Sequence, residues 1–220
     1  MREPAQPIRI EPRWPVVLAV AAVLFILAVS PARVRLFPFW FRYVIGLGLL
    51  LPVVGVWLSG ADARWLRVER AATLVFSMLG EAMTLTALLY LIFMMLNRPA
   101  EFGGRQLLAS SVGAWITNAL AFSLVYWQID RGGPEARAND VGTRPDWLFP
   151  QTGVPNEAPP DWRPTYVDYL FLAFSTAMAF SPSDALPLTS RAKMLMVLES
   201  TVSLLTLVTV VARAINILGS

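Results

Sequence analysis

The residues with chemistry to do in this chain are acidic and hydroxylic side chains set inside apolar runs. Glu199, Ser203, Thr206 and Arg213 follow one another at spacings of four, three and seven near the end of the chain, which puts them on one face of a helix. In a bilayer such a face turns to a protein interface or to a water-filled path. The stripe therefore serves either to line a cation pore or to bond one packed helix to another; serine and threonine alone do the second. Glu199 tilts the balance toward the first, because a carboxylate at that depth costs about 3 kcal/mol unless it is paired or hydrated. Arg213 lies about 21 Å further along the helix at 1.5 Å per residue, too far to pair with Glu199, and fits a snorkelling residue at the far interface. Glu81 is the second carboxylate in an apolar segment. Alone it has the chemistry of a proton relay; bonded to Asn118, a serine or a tryptophan of a neighbouring helix it is structural. Asp184 lies in a polar turn, where it either caps the next helix or draws cations to a mouth.

Other chemistries are closed. The 220 residues contain no cysteine and no histidine, which removes thiol chemistry, Cys/His zinc sites, histidine-ligated haem and a Ser-His-Asp triad. A metal site would need oxygen ligands throughout. Ser183-Asp184 has no histidine as base, and Lys193, the only lysine in the sequence, fits a helix start or an interface better than a Ser-Lys pair. No enzyme and no cofactor are expected.

The elements that must hold these residues are membrane helices. Composition is 56% hydrophobic and 15% charged, against about 25% charge in a soluble domain. The net charge of +3 comes from arginines scattered between apolar runs, which suits membrane-flanking charge and not a nucleic-acid surface. Val16–Ser30 reads as a retained first helix. Ala28-Val29-Ser30 has the small-x-small pattern of a signal-peptide site, but Pro31 would hinder cleavage. Phe37–Leu58 is a second crossing with Phe39, Trp40 and Phe41 as an aromatic belt, and Gly60–Arg70 a short loop bearing Arg64, Arg67 and Arg70. Ala72–Leu96 is a third crossing, Asn97–Arg105 a loop, and Gln106–Ile129 a fourth crossing that ends with Tyr126-Trp127 at the interface. Asp130–Pro164, rich in Pro, Gly, Asp and Arg, reads as an aqueous loop of irregular structure with no folded domain of its own.

Thr165 with Asp168 three residues on is a helix-start signature. The apolar run Tyr166–Phe180 that follows has fifteen residues, too few to cross a hydrocarbon core that needs about 20. Ser181-Pro182-Ser183-Asp184 and Pro187 stop it, since proline lacks a donor and clashes with the preceding turn. A long helix then runs from Ser190 to Ile217. A half-crossing, a tight polar turn and a full crossing make a pore-loop plan. The C-terminal, partly negative end of the half-helix would point into the membrane and favour a cation there, or the half-helix would simply plug a bundle.

The segment Asp184–Asn216 resembles the filter-to-inner-helix segment of bacterial two-helix potassium channels. That family's filter Asp, Pro-x-Thr, basic residue, inner-helix Leu-Glu and late Ala-Arg match Asp184, Pro187, Thr189, Lys193, Leu198-Glu199 and Ala212-Arg213 without a gap. Tyr169–Met178, with Thr176, resembles the pore helix. The C-terminal region is also similar to an uncharacterised family of bacterial integral membrane proteins with a like plan. The resemblance covers roughly 106–216 and implies a multi-pass protein of the cell (inner) membrane, a homotetramer around one pore, and small cations as its partners besides the lipid bilayer.

The filter itself departs from the family. Where potassium channels have Thr-Val-Gly-Tyr-Gly, this chain has Ala179, Phe180, Ser181, Pro182 and Ser183. A ladder of inward carbonyls needs backbone conformations that glycine permits and residues with a Cβ resist, so potassium selectivity is not expected. The inner-helix hinge glycine is Ser203 here, which bends a helix only weakly. The expected fold is all-α: five transmembrane helices plus a re-entrant half-helix. Residues 1–105 form a three-helix region and 106–220 a channel-like region (outer helix 106–129, loop 130–164, half-helix and turn 165–188, inner helix 190–217). The expected function is a weakly selective cation channel; the alternative is a non-conducting scaffold or transporter-like protein. Five crossings with a cytoplasmic C-terminus put the N-terminus outside, whereas Arg2, Arg9, Arg13 and the arginines around Arg67 favour the inside.

Overall fold

The computed structural model describes residues 9–29, 38, 40–60, 62–97, 104–154, 157–159, 162–179 and 185–218. Among them are eight α-helices: α1 Trp14–Val29, α2 Phe41–Leu58, α3 Ala63–Asn97, α4 Gly104–Ile129, α5 Pro134–Ala138, α6 Pro150–Gly153, α7 Tyr166–Ala179 and α8 Ser190–Leu218. A two-stranded antiparallel ladder pairs β1 (Trp147–Leu148) with β2 (Leu186–Pro187). Segments of α3, α4 and α8 are long and apolar enough to cross a membrane, at Ala63–Met94, Leu108–Gly132 and Ser190–Val211; α1 and Tyr43–Leu58 of α2 are shorter apolar helices. The chain is thus a mostly helical membrane protein. Its outer surface has the composition of a lipid-facing one: Leu18, Phe25, Leu51, Val75, Phe93 and Met194 are all exposed.

Helix α4 is the axis against which the others can be placed. Its last turn leads into a polar cap, and α1, α3, α7 and α8 all begin at that cap. Arg13, just before α1, bonds Glu69 in the second turn of α3, and Arg70 donates to the Gly132 carbonyl at 2.5 Å. The start of α3 also corrects the expected loop. Arg64, Arg67 and Arg70 lie on helix, which starts at Ala63, because the run Ala63–Ala72 contains no residue that stops it. Likewise α2 begins at Phe41, with Pro38 outside the helix.

The loop after α4 departs most from expectation. The chain turns through Arg131, Gly132 and Gly133, all at positive φ, and then forms α5, β1 and α6. Trp147 is 1% exposed and Phe149 6%. Trp147 packs on Tyr126 at 4.7 Å between ring centres and donates its indole N–H to the Met196 sulfur. Tyr126 and Trp127, expected at an interface, are completely buried: Trp147 of the loop covers Tyr126, and Glu11, Arg13 and Tyr166 surround the Trp127 ring. The exposed tryptophans at this end of the molecule are Trp14, Trp57 and Trp65, at the starts of α1 and α3 and the end of α2, where amphipathic rings suit a membrane–water boundary.

The path of α7 follows from its partners. The expected start signature is present: Thr165 N–H and Oγ both donate to Asp168, at 2.7 and 3.0 Å. Tyr166 shares a 2.8 Å bond with Ser123, and at the other end of α7 Trp115 donates to the Ala177 carbonyl. The helix therefore runs antiparallel to α4 from its cap end to the level of Trp115, about 21 Å below Ile129 at 1.5 Å per residue. By Leu186–Pro187 the chain is back beside Trp147–Leu148 at the cap. α7 buries Tyr166, Tyr169, Leu172, Ala173 and Ala177 and leaves Val167, Phe171, Phe174 and Met178 exposed as an apolar stripe.

Truncating Trp147 to Ala should remove the centre of the cap and cost about 3–5 kcal/mol. Thermal unfolding in detergent should show a strongly lowered Tm for that variant, while Trp57→Ala, at an 81% exposed position, should change stability by no more than about 0.5 kcal/mol.

Candidate functional site

Beneath the cap, α3, α4 and α8 enclose a polar cluster. Periodicity sets which α8 residues share a face, and packing sets what that face meets. Glu199 and Ser203 are buried against α4, with Thr206 and Thr209 continuing the stripe inward. The face of α8 left open is apolar, with Met194, Val197, Leu204, Leu207 and Val208. Glu199, Ser203 and Thr206, expected along a pore, are buried within the chain. Thr206 donates back to the Val202 carbonyl of its own helix, and Thr176 does the same to Leu172, so neither hydroxyl hydrogen needs a further partner.

Glu199 and Asn118 are the centre of the cluster. Tyr126 donates to one Glu199 carboxylate oxygen at 2.5 Å. The Asn118 carboxamide nitrogen donates to the Glu199 backbone carbonyl at 3.1 Å and to the Ser203 hydroxyl at 2.8 Å. Because a carbonyl can only accept, that bond fixes which end of the carboxamide faces α8, and the Asn118 oxygen is left over. Glu81 was a candidate partner for Asn118. The structure instead gives Asn118 to α8 and leaves Glu81 alone, 3% exposed on α3, within electrostatic range of both Glu199 and Tyr126.

The result is a surplus of acceptors. Both Glu81 oxygens, the second Glu199 oxygen and the Asn118 oxygen are buried with no hydrogen-bond partner among the described residues. No cationic side chain bonds them either: the described ion pairs all lie in the cap, as Arg13 with Glu69 and Glu135, Arg137 with Glu11, Arg163 with Asp140, and Arg191 with Asp146. Buried acceptors in this state need a proton, water or a cation. Beside the cluster, between α1, α2, α3 and α4, lies a mostly apolar cavity of about 190 Å³ whose wall includes Ser77, Gly80, Thr84, Ser111 and Thr117. The Ser77 hydroxyl is buried there without a partner.

The turn expected to correspond to a filter, Phe180, Ser181, Pro182, Ser183 and Asp184, lies outside the described residues, as do the side chains of Ala179 and Arg213. The cap of α8 falls to Thr189, whose hydroxyl accepts from the Ala192 N–H at 3.3 Å. Sequence reasoning missed Tyr126 as Glu199's donor. The signal was available in part: a tyrosine and an asparagine eight residues apart on α4 share a face with period 3.6, but nothing local says that α8 covers it.

Replacing Tyr126 by Phe should leave a Glu199 oxygen without its donor and cost about 1–3 kcal/mol, whereas Tyr166→Phe should cost nearer 1 kcal/mol, since Ser123 keeps its bond to the Leu120 carbonyl. Denaturant or thermal unfolding of the two variants in the same detergent measures the difference. No family model, no curated protein and no solved structure matches the chain.

Proposed function

We propose that this chain is a multi-pass protein of a cell (inner) membrane that lets small cations cross the bilayer, with the acidic cluster of each subunit as the point through which they pass. One observation carries the reading: two carboxylates on adjoining helices, well below the cap, with unsatisfied oxygens and no cationic partner among the described residues. Ionisable groups at that depth are expensive and mark ion or proton pathways. The neighbouring cavity, with hydroxyls on its wall, supplies room beside them. Five crossings place the ends of the bundle on opposite faces, with α1 and α2 as short spans. The half-helix α7 runs down from the cap, and by Leu186 the chain is back at the cap, as in a re-entrant segment.

In purified proteoliposomes, Glu199→Gln or Glu81→Gln should reduce cation flux at least tenfold; flux that neither substitution alters would favour a non-conducting scaffold. A second reading, a homotetramer with residues 179–184 around a common mouth, is favoured by the return of the chain to the cap and by the resemblance to potassium channels. It predicts a tetrameric mass in detergent and flux lowered by Asp184→Asn. The re-entrant path has its own test, helped by a sequence without cysteine. Single cysteines at Thr165 and Leu188 should react with an impermeant thiol reagent from the same side of sealed vesicles. Reaction from opposite sides would put α7 across the membrane.

A further inference from the structure

We infer that Glu81, Glu199 and Asn118 form a binding site for one hard divalent cation. The inference rests on the cation-passing reading above and names its substrate class. The donors available are all oxygen, and with no histidine or cysteine in the chain nothing soft can join them, which selects magnesium-, calcium- or manganese-like ions. Charge decides between a divalent ion and an alkali ion. Two carboxylates with no cationic side chain bonded to them among the described residues are balanced by a single dication, whereas a monovalent ion leaves one negative charge uncompensated in a buried site. The Asn118 carbonyl is a separate indication. It is wholly buried, its amide nitrogen is committed to Glu199 and Ser203, and its oxygen has no donor. Glu81 offers two further free oxygens and Glu199 one. Tyr126, by holding the other Glu199 oxygen, orients that carboxylate as an outer-shell partner orients a ligand.

Manganese(II) titration of the detergent-solubilised full chain, followed by electron paramagnetic resonance, tests the site directly. One saturable site per subunit is expected, displaced by excess magnesium or calcium. Its affinity should fall at least tenfold in Glu81→Gln, Glu199→Gln and Asn118→Leu, and should be unchanged in Glu157→Gln on the exposed surface. Should any cluster variant fail to fold, the wild-type chain gives an independent readout. A hydrophobic carbodiimide should modify Glu81 or Glu199, and manganese should protect them, as read by peptide mass. Absence of saturable binding, binding insensitive to all three substitutions, or carbodiimide labelling that manganese leaves unchanged would overturn the assignment, the last pointing to carboxyls that carry protons alone. Site-dependent binding without vesicle flux would leave the cation site standing and remove the transport reading.

Discussion

Asp130 and Asp146, both fully buried, are the constraint on which the rest of the structure depends. A carboxylate stripped of water must be supplied with donors, and these two are supplied from four directions. Tyr169 of α7 donates to Asp130 at 2.5 Å, and the Asp146 backbone N–H donates to the other Asp130 oxygen at 2.7 Å. Thr189 and Arg191 donate to Asp146 from the start of α8. The end of α4, the middle of the cap, the first turn of α7 and the first turn of α8 are thereby held at one point. Removing the Asp130 carboxylate would strand the Tyr169 hydroxyl and the Asp146 N–H, and removing that of Asp146 would strand Thr189 and Arg191 at the start of α8.

Glu11 is a third junction of the same kind. It accepts from the Trp127 indole, the first backbone N–H of α7 and Arg137, so the segment before α1 is tied to the start of α7. Arg137 in turn donates to the carbonyls of Trp127 and Asp130 and lies over the Tyr169 ring at 4.7 Å. The arginines of this end, read from sequence as membrane-flanking charge, are largely consumed in such bonds. The cap pairs its carboxylates with arginines, whereas among the described residues no cationic side chain bonds Glu81 or Glu199 beneath it. That contrast inside one small protein is the observation on which the proposed cation path rests.

Much of this was legible in the sequence, and what was not has a common cause. Thr165 with Asp168, the short length of the α7 run and the renewed helix after Thr189 are signals within a few residues of the feature they specify. So were the apolar segments of α3, α4 and α8. The order of the cap was invisible because its bonds join distant positions: Arg13 to Glu69, Glu11 to Tyr166, Asp146 to Arg191. A stretch rich in Pro, Gly and Asp looks irregular when its donors lie on other helices. The α8 stripe was legible only as a stripe. Spacing showed that Glu199, Ser203 and Thr206 share a face, but it carries no information about whether that face meets a sister subunit or α4.

The closure of the cap also orders the birth of the molecule. The ribosome delivers Asp146 and Trp147 long before Thr189, Arg191 and Met196, the groups that satisfy them. Until α8 is made, Asp146 and Trp147 lack these partners, although α7 can already bond α4 through Tyr166 and Ser123 and the cap through Tyr169 and Asp130. Closure of the cap therefore waits for α8, and a nascent chain truncated before Arg191 would leave Asp146 without its guanidinium.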